Sequence, residues 1–192
     1  MTDRATRGAF LFASDGEQIN EADNIKNSTD FTGARITMGE IHAFIHRGIV
    51  FDLSRKITLP ANQTIYLVGK TNGKSVHFHA EEYTSSAGGV EIRLLEDVTF
   101  TGGTEIVGAN RNRLSNQEPT LEVFAGATVS DTGTELYLIG FPAGATPVSG
   151  GSQKGAETEE WILKPQTNYA IEIKNLNNAE RIVYASLSWY EV

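Results

Sequence analysis

The chain has 192 residues, which suits one domain or one domain with an extension, and its 40% hydrophobic content is ordinary for a globular protein. Its 24 acidic and 16 basic residues give a net charge of −8, which argues against nucleic acid as the main partner because phosphate binding needs a basic face. The absence of cysteine excludes disulfides, zinc–thiolate sites and a cysteine nucleophile. The chain also carries no apolar signal segment and no apolar run of about 18 residues, so we expect a soluble protein with no membrane partner.

The first 35 residues are mixed and polar, apart from an apolar patch at residues 9–13 that contains Phe10 and Phe12. Turn-forming residues follow this patch. We interpret residues 1–35 as an extended N-terminal arm with a short strand. An ordinary first strand followed by a long loop fits the same residues equally well.

From Ile36 the chain becomes a series of short segments with alternating apolar residues, the pattern of half-buried strands. Asn72-Gly73 lies between two of them and predicts a tight hairpin, because both residues tolerate positive φ. Residues 140–155 hold five glycines and two prolines, including Pro142, and predict a long loop. The predicted strands are Glu40–His46, 49–53, Thr64–Lys70, 74–80, Val90–Glu96, 120–124 and 134–139.

The C-terminal segment gives the clearest strand pattern. Tyr169, Ile171 and Ile173 alternate with polar neighbours, and residues 175–178 form a turn cluster. Alternation resumes after the turn and continues to Trp189, so the chain end should be tied into a sheet. With about eight to ten short strands, no helical periodicity over three turns and no internal repeat, residues 36–192 predict an all-β antiparallel sandwich of jelly-roll type.

The four histidines fall in two pairs, His42 with His46 and His77 with His79. His77 and His79 would share one face of a strand, as metal ligands do, and the segment is similar to the first cupin motif. The second half of that motif is missing, because Pro147 stands where the downstream histidine should be. We therefore expect no metal or cofactor, and interpret these histidines as surface or interface residues, with His77 and His79 the best metal candidates.

Catalytic motifs are not apparent in the sequence. Neither the G-x-S-x-G sequence of serine hydrolases nor a phosphate-binding P-loop occurs. Adjacent glutamates such as Glu81 and Glu82 are typical of solvated surface. We predict that the protein is not an enzyme.

The most basic local feature is N-R-N-R at residues 110–113. Its two arginines, Arg111 and Arg113, suit bidentate binding of carboxylates or phosphates. The alternative interpretation is a polar loop between strands, and the two are equally consistent with the residues.

Three motif groups resemble virion proteins of tailed bacteriophages. The first is the closure W-x-L-K-P-x-T-x-Y from Trp161, followed by L-x-W-Y-E near the chain end. The second is G-G-T at residues 102–104 followed by N-R-N-R, and the third is residues 41–48 leading to Phe51. Together they span roughly residues 40 to 192, and they are most similar to head decoration, or cement, proteins.

This resemblance implies a structural protein on the capsid exterior, assembled in the host cytoplasm. It would bind the phage major capsid protein and brace the capsid lattice, as a homotrimer at local threefold positions. Candidate contact residues are Phe10 and Phe12 in the arm, Arg111 and Arg113, and Pro142 in the predicted loop.

Two other functions remain open. One is a tail, baseplate or fibre-associated module that binds a receptor or glycan, which requires exposed aromatic side chains on one face. The other is a cupin-like metal-binding enzyme, which requires a metal at His77 and His79.

Overall fold

The computed structural model describes residues 40–142 and 160–192, so the predicted arm, Phe10, Phe12 and residues 143–155 of the predicted loop lie outside it. The described part contains one helix, α1 (Glu40–His46), followed by strands. The strands are β1 (Val50–Leu59), β2 (Thr64–Lys70), β3 (Val76–Ser85), β4 (Val90–Glu96), β5 (Thr99–Thr101), β6 (Thr104–Ile106), β7 (Ala109–Asn110), β8 (Glu122–Ala125), β9 (Thr128–Asp131), β10 (Thr134–Phe141), β11 (Trp161–Leu163), β12 (Asn168–Asn175) and β13 (Arg181–Glu191).

The strands form two large sheets and one small ribbon. The five-stranded sheet has the order β11-β3-β13-β1-β7, and the six-stranded sheet has the order β10-β4-β12-β2-β8-β6. The strand pairs are antiparallel, including the pair β5-β9 that forms the ribbon. The predicted all-β antiparallel class is therefore confirmed.

A single apolar cluster fills the space between the two large sheets. Alternate residues of β1, β3 and β13 meet alternate residues of β2, β4 and β12, as the period of two along each strand requires. Trp189 on β13 is almost fully buried and stacks on Phe51 of β1, with 5.9 Å between the ring centroids. The described part is thus sandwich-like, with two sheets packed on a shared core.

A second, smaller cluster covers one end of the outer face of the six-stranded sheet. Val68, Leu95 and Ala170 point outward there. They pack against the β5-β9 ribbon, whose Phe100 and Val129 contact the cluster. The ribbon shields an apolar patch that would otherwise face water.

The prediction of a strand at Glu40–His46 is wrong, because these residues form α1. Gly48 explains the helix end: its φ is +71°, its N–H donates to the carbonyl of Ile45 at 2.9 Å, and it reverses the chain into β1. A left-handed glycine directly after a short helix is a common C-terminal cap.

The predicted hairpin at Asn72-Gly73 is also wrong, because β2 and β3 belong to different sheets. The segment between β2 and β3 passes from one sheet to the other and is held by side-chain hydrogen bonds. Thr71 is buried and its Oγ1 donates to the carbonyl of Lys164, at 2.6 Å. Asn72 Nδ2 donates to the carbonyl of Thr120, at 2.7 Å.

Other sequence predictions match the structure closely. The bounds of β2 and β4 are as predicted, and β13 lies between β1 and β3, so the chain end is tied into a sheet. The predicted loop begins later than expected, because β10 continues through Gly140 to Phe141. Within residues 40–142 and 160–192, no helix is long and apolar enough to cross a membrane.

Candidate partner interface

The loop that follows β7 carries the predicted arginines, and we call residues 110–117 the arginine loop. Its first residue, Asn110, is only 7% exposed. The Asn110 side-chain amide donates to the carbonyls of Gly48, at 2.7 Å, and Gln117, at 3.0 Å. Asn110 therefore closes the loop on itself and fixes it to the end of α1.

The second asparagine of the motif continues this attachment. Asn112 Nδ2 donates to the carbonyl of His46 at 3.0 Å, and its Oδ1 accepts from the backbone N–H of Leu114 at 3.1 Å. Side chains of asparagine commonly hold loops by bonding to nearby backbone in this way. The asparagines of N-R-N-R thus shape the loop, and the arginines are left to its surface.

The buried carboxylate of Glu191 fixes the far end of the same connection. Glu191 is 1% exposed and accepts bonds from the backbone N–H groups of Thr120 and Leu121, from Thr120 Oγ1 at 2.7 Å, and from Trp189 Nε1 at 3.1 Å. Several donors on one carboxylate offset the cost of burying its charge. The W-Y-E end of the chain is therefore a structural anchor for the residues before β8.

The exposed surface of the arginine loop combines charge with one apolar side chain. Arg111 Nε lies 3.4 Å from Asp52 Oδ2 of β1, and Arg113 donates to the carbonyl of Asn110, also at 3.4 Å. Leu114 follows and is 94% exposed. Arg47, at the end of α1, lies over the ring of Phe44 at 5.5 Å, so a third arginine occupies this end of the sandwich.

The predicted contact residues do not form one surface. Arg111 and Arg113 lie near the start of β1, whereas Pro142 is exposed directly after the end of β10. Phe141 at that end pairs with Val90, which in turn pairs with Asn175. Asn175 donates to the carbonyls of Leu59 and Pro60 at the far end of β1, so Pro142 lies at the opposite end of the strands. A partner on the arginine loop would therefore not reach Pro142 without spanning the length of the sheets.

The histidine pairs lie in different settings. His42 and His46 are one turn apart on α1, with their Nε2 atoms 3.0 Å from each other on the exposed side of the helix. His77 is mostly covered and stacks on Tyr190, with ring centroids 4.5 Å apart. Phe44 packs on Tyr190 as well, at 4.7 Å.

His77 also joins a short polar chain of side chains. Its Nδ1 pairs with Glu160 Oε1, its Nε2 lies 3.2 Å from Ser75 Oγ, and Glu160 Oε2 accepts from Tyr190 at 2.9 Å. The order serine, histidine, carboxylate is that of a hydrolase triad. However, the backbone N–H of Ser75 already donates to the carbonyl of Val192, so it is not free to stabilise an oxyanion. We interpret this set of side chains as structural, because it links β3, β13 and the residue before β11.

Of the two metal candidates on β3, His77 has one neighbouring carboxylate, that of Glu160. The pairing of β3 with β13 skips His79, which marks a bulge, and the side chain of His79 lies outside the described atoms. Among residues 40–142 and 160–192, no three histidines, aspartates or glutamates are grouped in a way that suits a metal ion.

A separate polar network lies on the outer face of the six-stranded sheet. Tyr66 donates to Glu172 Oε2 at 2.9 Å, and Arg93 lies within 3.7 Å of Glu172 and 3.5 Å of Glu135. Burial, followed by the bond to Glu172, raises the pKa of Tyr66 to about 12. The ion pairs and the Tyr66 bond link neighbouring strands, while Arg93 Nε itself makes no hydrogen bond within the described residues.

Sequence reasoning identified Arg111 and Arg113 but missed Leu114 and Glu191. An exposed leucine has no sequence signal, because leucine is most often a core residue. Glu191 had an indirect signal: a carboxylate in a strand that is otherwise buried needs internal donors.

Comparison with protein-family models, with curated proteins and with solved structures found no match to this chain.

Proposed function

We propose that this protein is a structural virion protein of a tailed bacteriophage that decorates the capsid exterior and stabilises the lattice of the major capsid protein. The motif resemblance in the sequence suggests this role. The observation that carries the proposal is the arginine loop, a tightly held loop that presents an almost fully exposed leucine beside two arginines.

The loop has the physical properties of a binding element. Its backbone is fixed by Asn110 and Asn112, and the residues after it by Glu191, before any partner arrives, which lowers the entropy lost on binding. Leu114 gains most from transfer out of water, since nearly all of its surface is exposed. Arginines at the rim suit carboxylates on an acidic partner surface.

The proposed fold type is a jelly roll, and the strand order supports it. In one sheet β1, β13, β3 and β11 are neighbours, and in the other β2, β12, β4 and β10 are neighbours. Among these eight, successive strands alternate between the two sheets except for β4 and β10, which pair within one sheet, and this order supports a double-sheet jelly roll. The remaining described strands would be additions at the sheet edges and on the outer face.

The assembly proposed is a homotrimer, with the N-terminal arm as a further contact to the capsid. Repetition of one modest interface by symmetry strengthens attachment without any large single contact. A receptor- or glycan-binding role elsewhere in the virion remains the alternative.

The proposal is tested with heads of the phage that encodes this chain, prepared with and without the protein. We expect heads without it to release their DNA at a lower temperature, followed with a DNA-binding dye, and re-addition of purified protein to restore the higher temperature. Equal release temperatures in the two preparations would contradict a stabilising role.

A further inference from the structure

The outer face of the five-stranded sheet carries an open groove of about 350 Å³, distinct from the arginine loop. Two rows of side chains from three adjacent strands line it, together with Arg55 and Ala185. One row is Lys56, Tyr184 and Thr84, and the other is Ser54, Ser186 and Glu82. Register places each residue beside its neighbour on the next strand, so the six side chains form one continuous surface.

The polar groups of this groove are largely uncommitted. Lys56, Glu82, Thr84 and Tyr184 make no side-chain hydrogen bond or ion pair with any other residue in the described part of the chain. Ser54 and Ser186 bond only to each other, at 3.0 Å. The outer face of the six-stranded sheet differs, because Tyr66 donates to Glu172 there and Arg93 lies 3.7 Å from the same carboxylate.

Tyr184 lies at the centre of its row and is 52% exposed, so one ring face is available to a ligand. An exposed aromatic ring attracts groups that present several C–H bonds on one flat side. The reason is that the face of the ring is negative and the C–H hydrogens are positive. The flanking lysine, carboxylate and hydroxyl groups offer donors and acceptors on both sides of the ring.

We propose that this groove binds a saccharide, with one pyranose ring stacked on Tyr184 and its hydroxyls bonded to Lys56, Glu82 and the serine and threonine side chains. A sugar fits because its hydroxyls both donate and accept, as the groove requires. Three adjacent strands span about 10 Å, the length of roughly two pyranose rings. The occupant is thus a short stretch of a polysaccharide.

Other ligand classes fit the groove less well. A polyanion such as nucleic acid would meet the carboxylate of Glu82 beside the two cations Arg55 and Lys56, on a protein whose net charge is −8. An apolar peptide would find only Tyr184 and the small Ala185 as apolar side chains in the lining. The sheet face also offers no free backbone groups for strand addition, which occurs at sheet edges.

Affinity electrophoresis in native gels tests the proposal, with dextran, galactomannan, xylan or deacylated bacterial lipopolysaccharide cast into the gel. We expect at least one polysaccharide to retard the protein, and Tyr184→Ala to weaken that binding about tenfold. Tyr184→Phe keeps the ring and should retain most of the binding. Because Tyr184 is half exposed, Tyr184→Ala should fold, which its unfolding midpoint will verify.

Trp161→Ala provides the matched control, because Trp161 is also a partly exposed aromatic residue but lies on β11 outside the groove. Its binding should equal that of the unaltered protein. Three results would each overturn the proposal: no retardation by any of these polysaccharides, retardation that survives Tyr184→Ala, or an equal loss in Trp161→Ala. None of them bears on capsid binding through the arginine loop.

Discussion

Glu191 fixes the segment between the arginine loop and β8, at Thr120 and Leu121. It accepts bonds from two backbone N–H groups, a hydroxyl and an indole, and no cation accompanies it in the described part. Because it is buried, water cannot replace these bonds when the carboxylate is removed.

We therefore expect Glu191→Gln to lower the free energy of unfolding by about 2–4 kcal/mol, because one acceptor oxygen becomes an N–H₂ donor facing other donors. Urea unfolding followed by tryptophan fluorescence measures the change. Glu180→Gln is the matched control, since the Glu180 side chain has no hydrogen bond or ion pair within residues 40–142 and 160–192. Equal effects of the two substitutions would contradict the anchoring role.

Glu96 links stability to pH. A hydrogen bond from Lys164, then one from Tyr169, lowers the pKa of Glu96 below its ordinary value of 4.5. Since the folded pKa is the lower one, the contribution of Glu96 to stability is present above pH 4.5 and is lost as pH falls through the folded pKa.

The urea midpoint should consequently fall between pH 6 and pH 3, and Glu96→Gln should reduce that fall because it removes the titrating group. Midpoints of both proteins at several pH values give the comparison. A variant with an unchanged pH dependence would exclude Glu96 as a contributor.

At the scale of elements, the turn between α1 and β1 holds the arginine loop through a close contact. A Cβ on Gly48 would lie 2.4 Å from Ser115 Oγ, in a backbone conformation with φ of +71°. Gly48→Ala is therefore strained both by its backbone and by its neighbour.

We expect Gly48→Ala to cost about 1–3 kcal/mol of stability and to speed hydrogen exchange in residues 110–117. The measurement is hydrogen exchange by mass spectrometry. Gly73→Ala serves as control, because no atom lies within 4 Å of an added Cβ and its φ is not in the left-handed region. Normal exchange in Gly48→Ala would show that the turn does not hold the loop.

Individual strands could be predicted from the sequence, but not the sheets to which they belong. The bounds of β4 follow from alternating apolar residues at Val90, Ile92 and Leu94, a local signal. The connection at Asn72-Gly73 looked like a hairpin because the turn residues fit, whereas the bonds of Thr71 and Asn72 are to residues far along the chain. The helix α1 was missed because seven residues carry little periodicity.

The candidate interface was likewise predicted only in part, because only its local features are visible in the sequence. Two arginines within four residues are unusual in an acidic chain, so the local sequence alone indicates residues 110–113 as a candidate site. Their attachment to the end of α1 depends on contacts across 62 and 66 residues of sequence, which no local pattern records. The groove at Tyr184 likewise arises only when β1, β13 and β3 are neighbours.

At the scale of the whole molecule, a trimer remains a prediction. Light scattering after size exclusion should give three times the chain mass, and removal of residues 1–30 should lower it if the arm contributes. A stable dimer would contradict the proposed threefold arrangement. A monomer in solution would mean that the trimer forms only on the capsid surface.

The central claim is that the arginine loop binds the capsid, and co-sedimentation with heads assembled without this protein tests it most directly. We expect saturable binding of the unaltered protein and a loss of about 30-fold in affinity for Leu114→Asp, as for a central interface residue. Leu176→Asp, at an exposed leucine near the opposite end of the strands, should bind normally. Binding that is equal in all three proteins, or absent from the unaltered protein, would contradict the claim.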